Sequence, residues 1–133
     1  MTSTTASPSP AALSLRGPFR LAIGVLVAMA ATVLKGALTT STGSGMAYAD
    51  WPLSDGQLMP ESSYTTLPGF FEHFHRVAAA STGLLALALA IWLQFGFGTR
   101  VAVRTRATAW IGGCLILVQG VIGGLGVLKN TPA

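Results

Sequence analysis

Residues 68–97 read PGFFEHFHRVAAASTGLLALALAIWLQFGF. The stretch joins two kinds of sequence. From Val77 to Phe97 there is no charged side chain, and Ala, Leu, Ile, Trp and Phe dominate. Its length matches the ~20 residues an α-helix needs to cross ~30 Å of hydrocarbon. Just before it, Glu72, His73, His75 and Arg76 crowd together. A helix starting after Pro68-Gly69 would carry these groups at its polar mouth and place the rest in lipid. The apolar run is continuous rather than alternating, which excludes a β-barrel strand.

Two more apolar runs flank this one. The first extends from Leu21 to Leu38, broken only by Lys35, and the last from Ala107 to Leu128. The prediction is an all-α, polytopic membrane protein with three transmembrane helices, at about 21–38, 77–97 and 107–128, and an outer loop at 39–71. Composition agrees. Of 133 residues, 51% are hydrophobic and 9% charged. Soluble domains carry about 25% charge, so this chain has too few polar side chains to cover a water-facing surface. One Cys rules out a disulfide scaffold. The formal charge of +4 does not form a nucleic-acid face, because the basic residues divide between the flanks of the spans. A channel or transporter would need more polar residues along its spans. Residues 1–17, rich in Ser, Thr, Pro and Ala, are expected to form a disordered leader ahead of a membrane domain at 18–133. Arg16 and Arg20 before an apolar run also suit a signal peptide. The run is longer than a signal core and more spans follow, so a retained anchor is predicted.

Charge sets the expected orientation. Arg16 and Arg20 precede the first span, and Arg100, Arg104 and Arg106 link the last two. The loop carries Asp50, Asp55 and Glu61 with no Lys or Arg. The positive-inside rule predicts a plasma-membrane protein with a cytoplasmic N-terminus, and with the loop and C-terminus outside.

Candidate chemistry gathers at the loop and its edges. Glu72 and His75 are i and i+3 on a helix and share a face, and Arg76 is placed to pair with Glu72. His73 points elsewhere. Ionisable groups near hydrocarbon are costly and call for a reason. Imidazole is a common haem ligand, and a carboxylate one turn away could orient it, move a proton or stabilise a cation. Alternatively, both groups sit in interfacial water with Arg76 as a snorkelling anchor. Lys35 either snorkels or neutralises a ligand carboxylate such as a haem propionate. Gln119 is one of few polar groups in the third span and could bond to a helix or a ligand. Gly120 and Gly124 form a G-x-x-x-G step, which favours helix–helix packing. The small faces of spans two and three also leave room for a flat apolar ligand. Cys114 is read as a small hydrophobe.

Together, three patches resemble the haem A synthase family of cytochrome oxidase assembly proteins. They are Lys35-Gly36, Thr42-Gly43-Ser44-Gly45 and Asp50-Trp51-Pro52-Leu53 after span one; Glu72-x-x-His75-Arg76 at span two; and Gln119-Gly120-Val121-Ile122-Gly123-Gly124-Leu125 in span three. The resemblance implies a membrane enzyme that oxidises a methyl group of haem O to a formyl group and carries haem b. It implies Glu72 as the essential carboxylate and His75 as an axial iron ligand. Lys35, Arg76 and Gln119 are the further cofactor-binding candidates. Many members have a loop cysteine pair. Here Ser54 stands where one Cys would follow Leu53, so disulfide-linked redox in this loop is excluded. Typical members have eight spans in two four-span halves with paired histidines, and this chain resembles three spans of the first half. His73 cannot complete the pair from the same helix. A homo-oligomer or a separately encoded partner is therefore expected to supply the second axial histidine. Haem O synthase and the cytochrome oxidase assembly machinery are further expected partners. The other expectations are a non-catalytic haem-binding assembly subunit, or a truncated fragment without independent activity.

Overall fold

The computed structural model describes residues 14–130. Most of the expected leader, residues 1–13, and the final residues 131–133 lie outside the described residues. Helix α1 spans Arg16–Ser41, α2 is a short turn at Ser62–Thr65, α3 spans Leu67–Ile91, and α4 spans Val103–Asn130. α3 continues through a π-helical turn at Trp92–Phe97 and a 3₁₀ turn at Gly98–Arg100. No strand occurs among the described residues, and three helices are long and apolar enough to cross a bilayer.

α1 begins at Arg16 and runs past the predicted end of the first span to Ser41. The threonines there do not end the helix, because they bond to its own backbone. Thr39 Oγ1 donates to the Lys35 carbonyl at 2.8 Å and Thr40 Oγ1 to the Gly36 carbonyl at 3.0 Å. Gly43 ends it. Its φ of 66° is in the left-handed region. The Ser44 and Gly43 amides reach back to the Thr39 and Thr40 carbonyls at 2.9 and 3.1 Å, the paired bonds of a Schellman stop. At the start of α3 the Thr66 hydroxyl accepts from the Gly69 amide at 3.2 Å. Pro68 fits the first turn, where its missing N–H costs nothing.

α3 is the central element, with α1 against one side and α4 against another. Two hydroxyl hydrogen bonds join α1 to α3. Thr32 and Thr82 share a hydrogen bond of 2.9 Å, and Thr39 Oγ1 also donates to the Phe71 carbonyl at 3.1 Å. At the α3–α4 contact, a Cβ on Gly83 would lie 3.7 Å from Ile116. The buried apolar residues are few: Val25, Tyr48, Ala86, Ala90, Leu93 and Val101. Large apolar side chains such as Leu26, Val33, Leu84, Ile111, Leu115 and Ile122 face outward. This inversion suits a lipid solvent, where helices satisfy their own backbone and apolar surface needs no cover.

Candidate functional site

The loop between α1 and α3 folds onto the first turns of α3 through a buried carboxylate and a part-buried guanidinium. Glu72 is 2% exposed. One carboxylate oxygen pairs with Arg76, and the other accepts the Tyr48 amide at 3.1 Å. Arg76 Nη1 donates to the carbonyls of Asp50 and Leu53, both at 2.6 Å. Its Nη2 donates to the Tyr48 carbonyl at 3.2 Å as well as to Glu72. The guanidinium also lies 5.6 Å from the Tyr48 ring centroid. The predicted Glu72–Arg76 pair thus forms, and it clasps the loop. Arg76 is turned inward to loop carbonyls rather than outward as an interfacial anchor.

Asp50 builds the loop's far end. Its two carboxylate oxygens accept the amides of Asp55 and Gly56, each at 2.8 Å. Those two residues hold φ of 51° and 70° and form a tight turn closed by reciprocal Ser54–Gln57 hydrogen bonds of 3.0 Å. Asp-Gly is the residue pair that such a turn favours. Burial works against the Asp50 carboxylate, but the Gly56 and Asp55 amides, helped by the Arg76 charge, outweigh it and hold its pKa below the ordinary aspartate range. The Trp51–Pro52 peptide is cis, and the Trp51 indole rests directly on Gly124 of α4. Gly124, read from sequence as a helix-packing residue, therefore receives a loop aromatic instead.

A second group lies along the α1–α3 seam. The His75 imidazole is half-buried and lies against Gly36, where a Cβ would come within 2.8 Å of its Cε1. His75 Nδ1 is buried and has no hydrogen-bond partner among the described residues. The Lys35 ammonium lies 5.6 and 5.7 Å from the centroids of Phe70 and Phe74, within cation–π range. Lys35 and His75 therefore both belong to this seam, while Glu72 and Arg76 belong to the loop clasp one turn away. Gln119 stands apart, exposed on α4. His73 points elsewhere, as predicted. It is buried, its Nδ1 is 3.2 Å from Ser54 Oγ, and its ring meets Tyr48 edge-on.

The fit of a haem can be judged on these residues. An imidazole with a buried Nδ1 that lacks a partner, seated where only a glycine leaves room, suits a histidine that would hold an iron, although His73 Nε2 is buried and unpartnered as well. The described residues contain no cluster of three or more His, Cys, Asp or Glu able to hold a metal ion on its own. Tyr48 is the site residue that the sequence did not disclose, since both its amide and carbonyl serve the clasp. The available signal was a lone aromatic within the small-residue stretch Met46-Ala47-Tyr48-Ala49.

Comparison with known proteins gives the chain's relatives. The chain is 33% identical over 114 residues to haem A synthase of Bacillus licheniformis, covering 85% of this chain and 36% of that protein. It is 34% identical over 103 residues to haem A synthase of Geobacillus kaustophilus, covering 77% and 31%. It is 32% identical over 124 residues to haem A synthase of Ruegeria pomeroyi, covering 86% and 31%. The chain thus spans about a third of the length of the curated relatives it matches. No solved structure matches it. Residues 19–131 match the model of the cytochrome oxidase assembly protein family; with its three membrane-crossing helices, the chain is a multi-pass membrane protein belonging to that family.

Proposed function

We propose that this chain is a haem A synthase-like component that takes part in oxidising a methyl group of haem O to a formyl group for cytochrome oxidase assembly. His75 would be the residue of this chain that holds the iron of haem b. A second copy or a separately encoded partner would supply a second histidine. The observation that carries this reading is the His75 imidazole, half-buried against Gly36 with Nδ1 unpartnered, one helical turn from the clasped carboxylate of Glu72. Haem, when bound, supplies the redox chemistry. The chain's own residues hold and polarise. Gly36 keeps the imidazole's place open. Lys35, resting on Phe70 and Phe74, offers a positive charge to a propionate. Glu72, fixed by Arg76 and the Tyr48 amide one turn from His75, would act there as part of an oriented ion pair rather than as a free anion. Gln119, exposed on α4, would reach haem only through a neighbouring helix.

Arg16, Arg20, Arg100, Arg104 and Arg106 at one end of the bundle, and the acidic residues at the other, support a plasma-membrane protein with a cytoplasmic N-terminus. The test is to purify the full chain with haem b, alone and with a candidate partner. A low-spin haem spectrum lost on His75→Ala is expected. Absence of that spectrum, or its survival in the variant, overturns the reading. A second reading is a haem-binding assembly subunit without turnover. It is favoured by His75 being the sole histidine in the seam, with His73 on another face of α3 and its Nδ1 at Ser54. Haem binding with no conversion of haem O alongside a partner would select it.

A further inference from the structure

The end of the bundle opposite the loop carries a second feature. There the start of α1, the end of α3 and the start of α4 converge. A Cβ on Gly17 of α1 would lie 2.7 Å from the Trp92 indole of the π-helical turn, so these two segments touch. Between the three elements runs an open groove of about 400 Å³. Ala22, Leu89 and Leu93 form part of its apolar wall, and Arg104, Thr105 and Thr108 contribute its polar part. Thr108 Oγ1 donates to the Arg104 carbonyl at 2.9 Å, so its proton is committed. Arg104 and Thr105 are exposed.

Arg104 has no carboxylate to meet. All four acidic side chains of the chain, Asp50, Asp55, Glu61 and Glu72, belong to the loop or the start of α3. Glu72–Arg76 is the sole ion pair among the described residues. Arg16, Arg20, Arg100 and Arg106 surround the same end and add positive charge. An apolar trough that ends in an unpaired guanidinium and a hydroxyl has the polarity of one lipid molecule. A basic pocket between transmembrane helices is a recurrent way of holding an anionic headgroup.

We propose that this groove binds one anionic phospholipid from the adjoining leaflet. Its phosphate lies at Arg104 and Thr105, and one acyl chain lies along Ala22, Leu89 and Leu93. The site is independent of the haem reading, since it is at the other end of the bundle. The test uses the full chain in detergent micelles, titrated with dioleoyl phosphatidylglycerol or dioleoyl phosphatidylcholine and followed by native mass spectrometry. One phosphatidylglycerol is expected to be retained in preference. Arg104→Gln should lower its affinity about fivefold, the worth of one basic side chain near an anionic headgroup. Arg100→Gln, which does not line the groove, should change it by less than about twofold on the same scale. Ala22→Phe, which fills the trough, should abolish preferential retention. Thr105→Val should weaken it if Ala22→Phe fails to fold by circular dichroism. Equal retention of the two lipids overturns the proposal. So do equal effects of Arg100→Gln and Arg104→Gln, which would mean diffuse charge, and competition by free glycerol phosphate as strong as by the lipid, which would mean an anion site without a lipid groove.

Discussion

Arg76→Met removes the guanidinium while keeping a side chain of similar length. The loss can be worked from the contacts. Arg76 pairs with a carboxylate whose side chain is 3% exposed, and is itself 14% exposed. It also donates to the carbonyls of Tyr48, Asp50 and Leu53 at 3.2, 2.6 and 2.6 Å. Removing one partner of a buried ion pair costs about 3–5 kcal/mol, because the other charge is left uncompensated. The three carbonyl bonds are not added in full, since a released loop can bond to water instead. Loop closure should therefore weaken by about 3–5 kcal/mol, two to three and a half orders of magnitude. Limited proteolysis of residues 42–66 in detergent, with thermal unfolding in parallel, measures it. Adding Glu72→Gln neutralises the stranded carboxylate and should recover more than about 1 kcal/mol. Arg76→Lys keeps the charge but cannot fork to several carbonyls, and should fall between wild type and Arg76→Met. A loss below about 0.5 kcal/mol in Arg76→Met, with cleavage unchanged, would refute the clasp. A double variant no better than the single would do the same.

Three further outcomes follow from the geometry. Gly36→Ala places a Cβ 2.8 Å from His75 Cε1, so the ring must shift; a stability loss of about 1–3 kcal/mol in thermal unfolding is expected, as for overpacking in general, and an unchanged melting temperature would contradict the seam. Gly124→Leu should dislodge the Trp51 indole that lies against Gly124, seen as a red shift of tryptophan fluorescence that is absent in a Trp51→Phe background. Asp50 has a folded-state pKa lowered relative to the free residue, so its stabilisation is complete above the ordinary value of about 3.9 and drains away as pH falls through the lower folded value. Proteolysis of the loop should accelerate in that acid window, and Asp50→Asn should flatten the dependence.

The spans were legible because lipid imposes a simple rule on sequence. A continuous run of apolar residues near the length of a bilayer has few alternatives to a helix. The span limits were less so. Thr39–Thr42 looked like loop, yet their hydroxyls bond within α1, and the helix stops only where Gly43 takes a left-handed φ. Helical spacing disclosed the Glu72–Arg76 pair, since i and i+4 side chains meet on any helix. It could not disclose Tyr48. That residue joins the clasp mainly through its backbone, and nothing in a side chain's identity announces where its amide will point. Gly124 shows the same limit. A G-x-x-x-G step marks a place of close approach without saying what approaches, and here it is the indole of a distant loop.

By itself, the sequence determined a three-span α-helical membrane protein, the sorting of five arginines to one end and the acidic residues to the other, and the resemblance to haem A synthases. These depend on composition and on spacing within single elements. Only the tertiary structure decided that Arg76 holds the loop and that Glu72 is buried beside it. It also placed His75 on Gly36 and divided the ionisable cluster into a clasp, a seam and the His73–Ser54 contact. Those outcomes depend on contacts between residues 19 to 39 positions apart in the chain. Such contacts exist only after α1, the loop and α3 have packed, and helical periodicity carries no information about them.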